Sequence, residues 1–144
     1  MRSAPKTKGD GAQPSRTGLR ILIAEDHPVD RRVLAIMLEP CDCTLTFVEN
    51  GLEAVEATAR ETFDIVLMDM QMPVMDGLTA IREIRARELK LNTTQMAIAV
   101  LSANVGLEHQ TAALLAGADC HVGKPATLQD IFKGVDRALA AHAA

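Results

Sequence analysis

Polar residues interrupt the apolar runs of this chain where each run stops. Glu25 and Asp26 close "LRILIAED", Asp69 closes "DIVLMD", Ser102 closes "MAIAVLS", and Lys124 follows "CHVG". Three carboxylates brought together repel, and each raises the proton affinity of the others unless a cation intervenes. A hard divalent ion is their natural partner: carboxylate oxygens, a backbone carbonyl and retained waters are how Mg²⁺ is commonly held beside a phosphoryl group. Lys124 supplies a point positive charge, and Ser102 a hydroxyl donor, for the oxygens of such a group. Asp69 is then expected to be exposed at a strand tip, because an unpaired carboxylate in a core is costly. From that position it can act as the nucleophile toward phosphorus.

The elements that must bring these residues together are read from the hydrophobic period. Residues 19–26 are a short apolar run, and "PVDRRVLAIMLEP" (28–40) has helical spacing, with Val29, Val33, Ile36 and Met37 predicted on one face. "CTLTFVEN" (43–50) alternates at period two, with Leu45 and Phe47 set against Thr44, Thr46 and Val48; "GLEAVEATARET" (51–62) returns to the helical period. The alternation continues through a strand at 63–69, a helix near 77–89, a strand near 96–101, a helix near 107–116 stopped by Gly117, a strand near 119–123 and a helix near 127–141. Five strands alternating with five helices, with strands as continuously apolar as "FDIVLM" and "MAIAVL", predict an α/β fold: a five-stranded parallel sheet with helices on both faces. Every candidate residue then lies at a strand's carboxyl end, the edge at which such sheets bind ligands.

Composition narrows the function classes. The chain has 144 residues, enough for one domain, and is 48% hydrophobic with three Phe and no Trp or Tyr, so the core is aliphatic and methionine-rich. The net charge is −4, yet residues 1–20 carry five basic groups and one acid, so the remainder is more acidic than the total suggests. An acidic body argues against nucleic acid as a partner, whose phosphates call for Lys and Arg. Residues 1–18, rich in Pro, Gly, Ser and Thr, read as a flexible, solvated tail, and residues 19–144 as the domain. No run approaches the length of a membrane span and the tail lacks a signal peptide's apolar centre, so the expected location is cytoplasmic. Cys41, Cys43 and Cys120 lack paired zinc-knuckle spacing and read as free thiols.

The joint ordering of four motifs resembles the receiver domain of two-component response regulators, across residues 19–142. The matching segments are "LIAED", "DIVLMDMQMPVMDG", "VLSAN" and "CHVGKPA"; "DMQMP" and "SAN" resemble receivers attached to or served by hybrid kinases. The resemblance implies a (βα)5 flavodoxin-like receiver fold. It implies that Asp69 accepts a phosphoryl group from a histidine kinase or histidine phosphotransfer protein. Asp26, Asp69 and the Gln71 carbonyl would bind Mg²⁺ (Mn²⁺ as a substitute), with Glu25 acting through water. Ser102 and Lys124 would grip the phosphoryl oxygens, Gln71 and Asn104 would tune its lifetime, and Lys124–Pro125 would be a cis peptide. It further implies that Ser102 drives a switch of the face built by the fourth helix, fifth strand and fifth helix, including Ala103, Leu107, His109 and His121. One departure is His121, which stands where the family usually has an aromatic that swings inward; a charge change there is an expected route to pH coupling.

Rival readings make definite demands. Glu25 and Asp26 would also serve as caps for the following helix. Met68, Met70, Met72 and Met75 would form a soft copper(I) string if they were not core filler. A phosphohydrolase with an aspartyl-phosphate intermediate would place its nucleophile on the first strand in a D-x-D pattern. Here the third strand carries it and Gln71 follows at the second position, so self-phosphorylation and slow self-hydrolysis are expected rather than turnover. An unphosphorylated scaffold would lack a member of the site, and none is missing. His27, His109 and His142 read as surface residues. With the sequence read to Ala144, output is expected through protein contacts, relay of the phosphoryl group or a longer polypeptide.

Overall fold

The computed structural model describes residues 18–103, 106–124 and 126–142. Of the expected tail only Gly18 falls within that range; Asn104 and Pro125, and with Pro125 the expected cis bond, lie outside it.

The elements are β1 (Arg20–Ala24), α1 (Pro28–Leu38), β2 (Thr44–Val48), α2 (Gly51–Arg60), β3 (Ile65–Asp69), α3 (Gly77–Leu91), β4 (Ala97–Ser102), α4 (Leu107–Ala116), β5 (Cys120–Gly123) and α5 (Leu128–Ala140). Their starts and stops are chemical. Asn50 and Asp76 accept the Glu53 and Thr79 amides at 2.8 and 2.7 Å, satisfying donors at the first turns of α2 and α3. Thr127 and Asp130 form a reciprocal capping box on α5. Gly117, at φ 119°, ends α4 in the left-handed conformation that a side chain would disfavour.

All strand pairs are parallel, in the order β2-β1-β3-β4-β5. The chain starts at β1, adds β2 on one side and then returns to place β3 on the other, so the β1/β3 boundary is the point where strand order reverses. Period-two alternation divides the core. Leu22, Ala24, Val66, Met68, Ile98 and Val100 pack toward α2, α3 and α4, while Ile21, Ile23, Ile65, Leu67, Ala99 and Leu101 pack toward α1 and α5. Each fully buried Ile or Leu contributes about 1.5–3 kcal/mol of hydrophobic stabilisation. An Ile23→Ala cavity would therefore cost about 2–5 kcal/mol.

The expected face of α1 is corrected. Val29, Val33 and Ile36 are exposed, whereas Met37, the fourth member of that face, packs against the sheet as expected, beside the buried Leu34 and Leu38. The helix is apolar at seven positions around its circumference, so spacing alone admits two faces; Leu34, Leu38 and the partly buried Met37 make the side that packs with β1, β3 and α5.

The methionines behave as filler: Met68 and Met70 are buried and Met72 and Met75 pack against the same cluster. The cysteines are free thiols, Cys41 and Cys43 just before β2 and Cys120 on β5 at the opposite edge of the sheet. Burial pushes the Cys120 thiol up to about 11, which leaves it unreactive near neutral pH.

Candidate functional site

The carboxyl ends of β1, β3, β4 and β5 open on one cavity of about 200 Å³, lined by Glu25, Asp26, His27, Asp30, Asp69, Gln71, Ser102, Ala103 and Lys124. Every acid, the hydroxyl and the lysine singled out from the sequence are therefore in one place. Backbone register brings them there. Asp69 is the last residue of β3 and pairs with Leu101, one residue before Ser102; Ser102 pairs with Gly123, one residue before Lys124. The Lys124 amide also donates to the Ser102 carbonyl at 2.8 Å. The loop after β3 folds back so tightly that the Gly77 amide donates to Met70 O at 3.0 Å. A Cβ on Gly77 would sit 2.1 Å from the Asp69 carbonyl, so the glycine in "VMDG" is required by close approach.

Asp69 is not exposed, as its strand-tip position predicts, but only 7% accessible. The cost of burial is met by partners: Lys124 Nζ lies 3.5 Å from Asp69 Oδ1, and the Gln71 amide donates to the same oxygen at 3.5 Å. The compensation is incomplete. Burial, and then the neighbouring Glu25 charge, push the Asp69 carboxyl up to about 6 against the pull of Lys124.

Glu25 is fully buried. One of its oxygens accepts from Lys124 Nζ at 2.7 Å and the other from the His27 amide at 3.2 Å. Asp26 is exposed. The expectation that this acidic pair caps α1 with a side chain is corrected: the cap position is His27, which makes no side-chain capping bond. Lys124 reaches a third acid, Asp30 Oδ2, at 3.3 Å. Burial pulls the Lys124 ammonium down, but Glu25, Asp69 and Asp30 together outweigh it and hold the group above its ordinary value.

Asp30 escaped the sequence reading because it sits within α1 rather than at a strand end. Its spacing of four from Asp26 is the signal that could have placed it on the cavity side. His142 is likewise not a plain surface residue, since its Nε2 lies 2.8 Å from Asp119 Oδ1. His121 on β5 is half-buried and lines a separate groove of about 370 Å³ with Lys133 and Arg137.

Carboxylate oxygens of Glu25, Asp26 and Asp69 all lie within 4.8 Å of one another, and among the described residues this is the only cluster of His, Cys, Asp and Glu able to hold a metal. The donors are all oxygen, which suits a hard cation such as Mg²⁺ and excludes soft-ligand sites.

Residues 21–136 match the response regulator receiver domain family. The chain belongs to that family. It is 42% identical over 117 residues to hybrid signal transduction histidine kinase A of Dictyostelium discoideum, covering 81% of this chain and 5% of that protein. To the sensor protein GacS of Pseudomonas syringae pv. syringae it is 37% identical over 106 residues, covering 74% of this chain and 12% of that one. The receiver thus spans a small part of the curated relatives it matches. Among solved structures, the receiver domain of sensor histidine kinase PA1611 from Pseudomonas aeruginosa PAO1, with a magnesium ion in its active site cleft, is 34% identical with a TM-score of 0.76, over 86% of this chain and 99% of that one. The receiver domain of Ssk1 from Saccharomyces cerevisiae, solved with the histidine phosphotransfer protein Ypd1, shares the fold at a TM-score of 0.79 and 24% identity, over 88% and 93% of the two chains.

Proposed function

We propose that this receiver accepts a phosphoryl group on Asp69 from a phosphohistidine on a histidine kinase or histidine phosphotransfer partner and switches a protein-binding face in response. The carrying observation is the 3.5 Å approach of Lys124 Nζ to Asp69 Oδ1, with oxygens of Asp69, Glu25 and Asp26 all within 4.8 Å of one another. An Asp69 oxygen attacks phosphorus, a P–O bond forms as the donor's P–N bond breaks, and the leaving imidazole takes the electron pair. Lys124 neutralises charge on the transferring oxygens, Ser102 donates to one of them from the cavity wall, and Gln71 orients the carboxylate through its amide. Asp26, Asp69 and the Gln71 carbonyl would hold Mg²⁺, or Mn²⁺ in its place, with Glu25 helping through water or by holding Lys124. When bound, the ion supplies charge neutralisation and orientation. Residues 19–144 are taken as the receiver domain and residues 1–18 as its tail, in a cytoplasmic setting; among the described residues no helix is long and apolar enough to cross a membrane.

The same geometry supports two faces for partners. Val29, Val33 and Ile36 of α1 are exposed beside the rim, a surface on which a protein delivering phosphohistidine can rest. Leu107, Leu114 and Leu115 of α4 are exposed too, and with His121 of β5 and the adjoining α5 they make the face that answers the switch. A phosphohydrolase would need a general acid beyond Asp69, and Gln71 cannot serve.

Incubation with Mg²⁺ and acetyl phosphate, followed by intact-mass measurement, tests the reading. One phosphoryl adduct on the wild type and none on Asp69→Asn supports it. Continuous phosphate release or an adduct on the variant overturns it.

A further inference from the structure

We propose that Asp30 is a positioning residue that holds the Lys124 ammonium on the α1 side of the cavity until a phosphoryl group draws it away. The inference rests on Asp69 being the phosphoacceptor. Lys124 has three N–H donors and three acidic partners, Glu25 at 2.7 Å, Asp30 at 3.3 Å and Asp69 at 3.5 Å. These partners are not equivalent. Glu25 is fully buried and its second oxygen is taken by the His27 amide, so losing the lysine would leave a buried charge unpaired. Asp69 is the group to be modified. Asp30 is 42% exposed on the first turn of α1, where water and the helix's amino-terminal amides accommodate a carboxylate alone. His27 Nδ1, 4.0 Å from its other oxygen, offers a second neighbour.

Asp30 is therefore the partner that Lys124 can leave. A phosphoryl group on Asp69 adds charge and acceptor oxygens that compete for the ammonium. The Asp30 tether opposes that move, so it slows uptake of the group and weakens the grip that preserves it.

The test times phosphoryl uptake from acetyl phosphate at saturating Mg²⁺, and loss after the donor is removed, in wild type, Asp30→Asn, Asp30→Glu, Lys124→Ala and the Asp30→Asn/Lys124→Ala double variant. Asp30→Asn should lengthen the phosphorylated lifetime and speed uptake by about two- to five-fold, the scale a half-exposed ion pair can impose. Asp30→Glu should restore wild-type timing, and the double variant should match Lys124→Ala. Wild-type timing in Asp30→Asn, or an equal change with and without Lys124, overturns the proposal; the latter would mean simple charge repulsion. If Lys124→Ala takes up too little phosphate to time, the ¹H–¹⁵N signal of the Lys124 ammonium decides: Asp30→Asn must move it, and an unmoved signal overturns the tether. Failure of the wild type to take phosphate on Asp69 would instead overturn the underlying reading.

Discussion

The two ends of the parallel sheet both bury charge, and they do so with opposite outcomes. At the amino ends of β4 and β5, Arg85 donates to Gly117 O at 2.9 Å, Met96 O at 2.7 Å, Glu88 Oε1 at 2.9 Å and Asp119 Oδ2 at 3.2 Å. The other oxygens are used as well: Glu88 Oε2 takes the Met96 amide and Asp119 Oδ1 faces His142, while Asp119 Oδ2 also accepts from the Ile98 amide. At the carboxyl ends, one lysine serves three acids and a fourth, Asp26, stands beside them. The lower network is balanced in its hydrogen bonds, every carboxylate oxygen of Glu88 and Asp119 having a partner, and ties α3, β4, β5 and the end of α5 into a frame. The upper one is left with surplus negative charge, which is what a site awaiting a cation requires.

Breaking the balanced end should have the largest effect. Arg85→Ala leaves Glu88 and Asp119 buried without their counterion and should destabilise the fold by about 3–5 kcal/mol in urea unfolding. A change under ~1 kcal/mol, no more than an exposed pair gives, would mean that the network does not act as a unit.

At the unbalanced end, removing a charge should do the reverse. Asp69 titrates near 6 in the fold, above the ordinary carboxylate value of 3.8, so its ionised form opposes folding. Metal-free Asp69→Asn should be more stable than wild type by about 1–3 kcal/mol at neutral pH. The difference should shrink as pH falls through the folded value and vanish below the unfolded one, where both states of Asp69 are protonated. Chemical unfolding of both proteins from pH 7.5 down to 3.5 checks the sign; a gap that widens toward acid would contradict it.

Mg²⁺ should supply the same relief by another route. At ten times its dissociation constant the ion should raise wild-type stability by about 1.4 kcal/mol, seen as a higher melting temperature. It should have little effect on Asp69→Asn, and equal stabilisation of both proteins would place the ion elsewhere. The smallest structural effect is expected on the outer face of α1. Val33→Asp should change stability by no more than about 0.5 kcal/mol and leave acetyl phosphate uptake unchanged, while slowing transfer from a phosphohistidine partner. Unimpaired transfer would remove α1 from the docking surface.

The difference between the two ends also explains what could be read from the sequence. Strands, helices and the upper site were legible because β3 and β4 are continuously apolar and each run stops abruptly at Asp69 or Ser102. Such local signals survive without coordinates. The burial of Asp69 was not legible, since it depends on Lys124 arriving from β5 to compensate it. Asp30 was hidden by its place inside a helix, and the buried face of α1 by apolar residues all around it. The lower network joins Arg85 to Asp119 across 34 positions and then to His142, a pairing that only the fold creates.

If Asp69, held by Lys124 among three further acids, is where phosphorus becomes attached, its carboxyl must turn up as an acyl phosphate. Borohydride reduction after treatment with acetyl phosphate and Mg²⁺ converts a phosphorylated aspartate to homoserine, and peptide sequencing by mass spectrometry locates it. Homoserine is expected at position 69 alone, and none when the divalent ion is chelated; homoserine at another position, or at 69 without the ion, would rule out Asp69 as the metal-dependent acceptor.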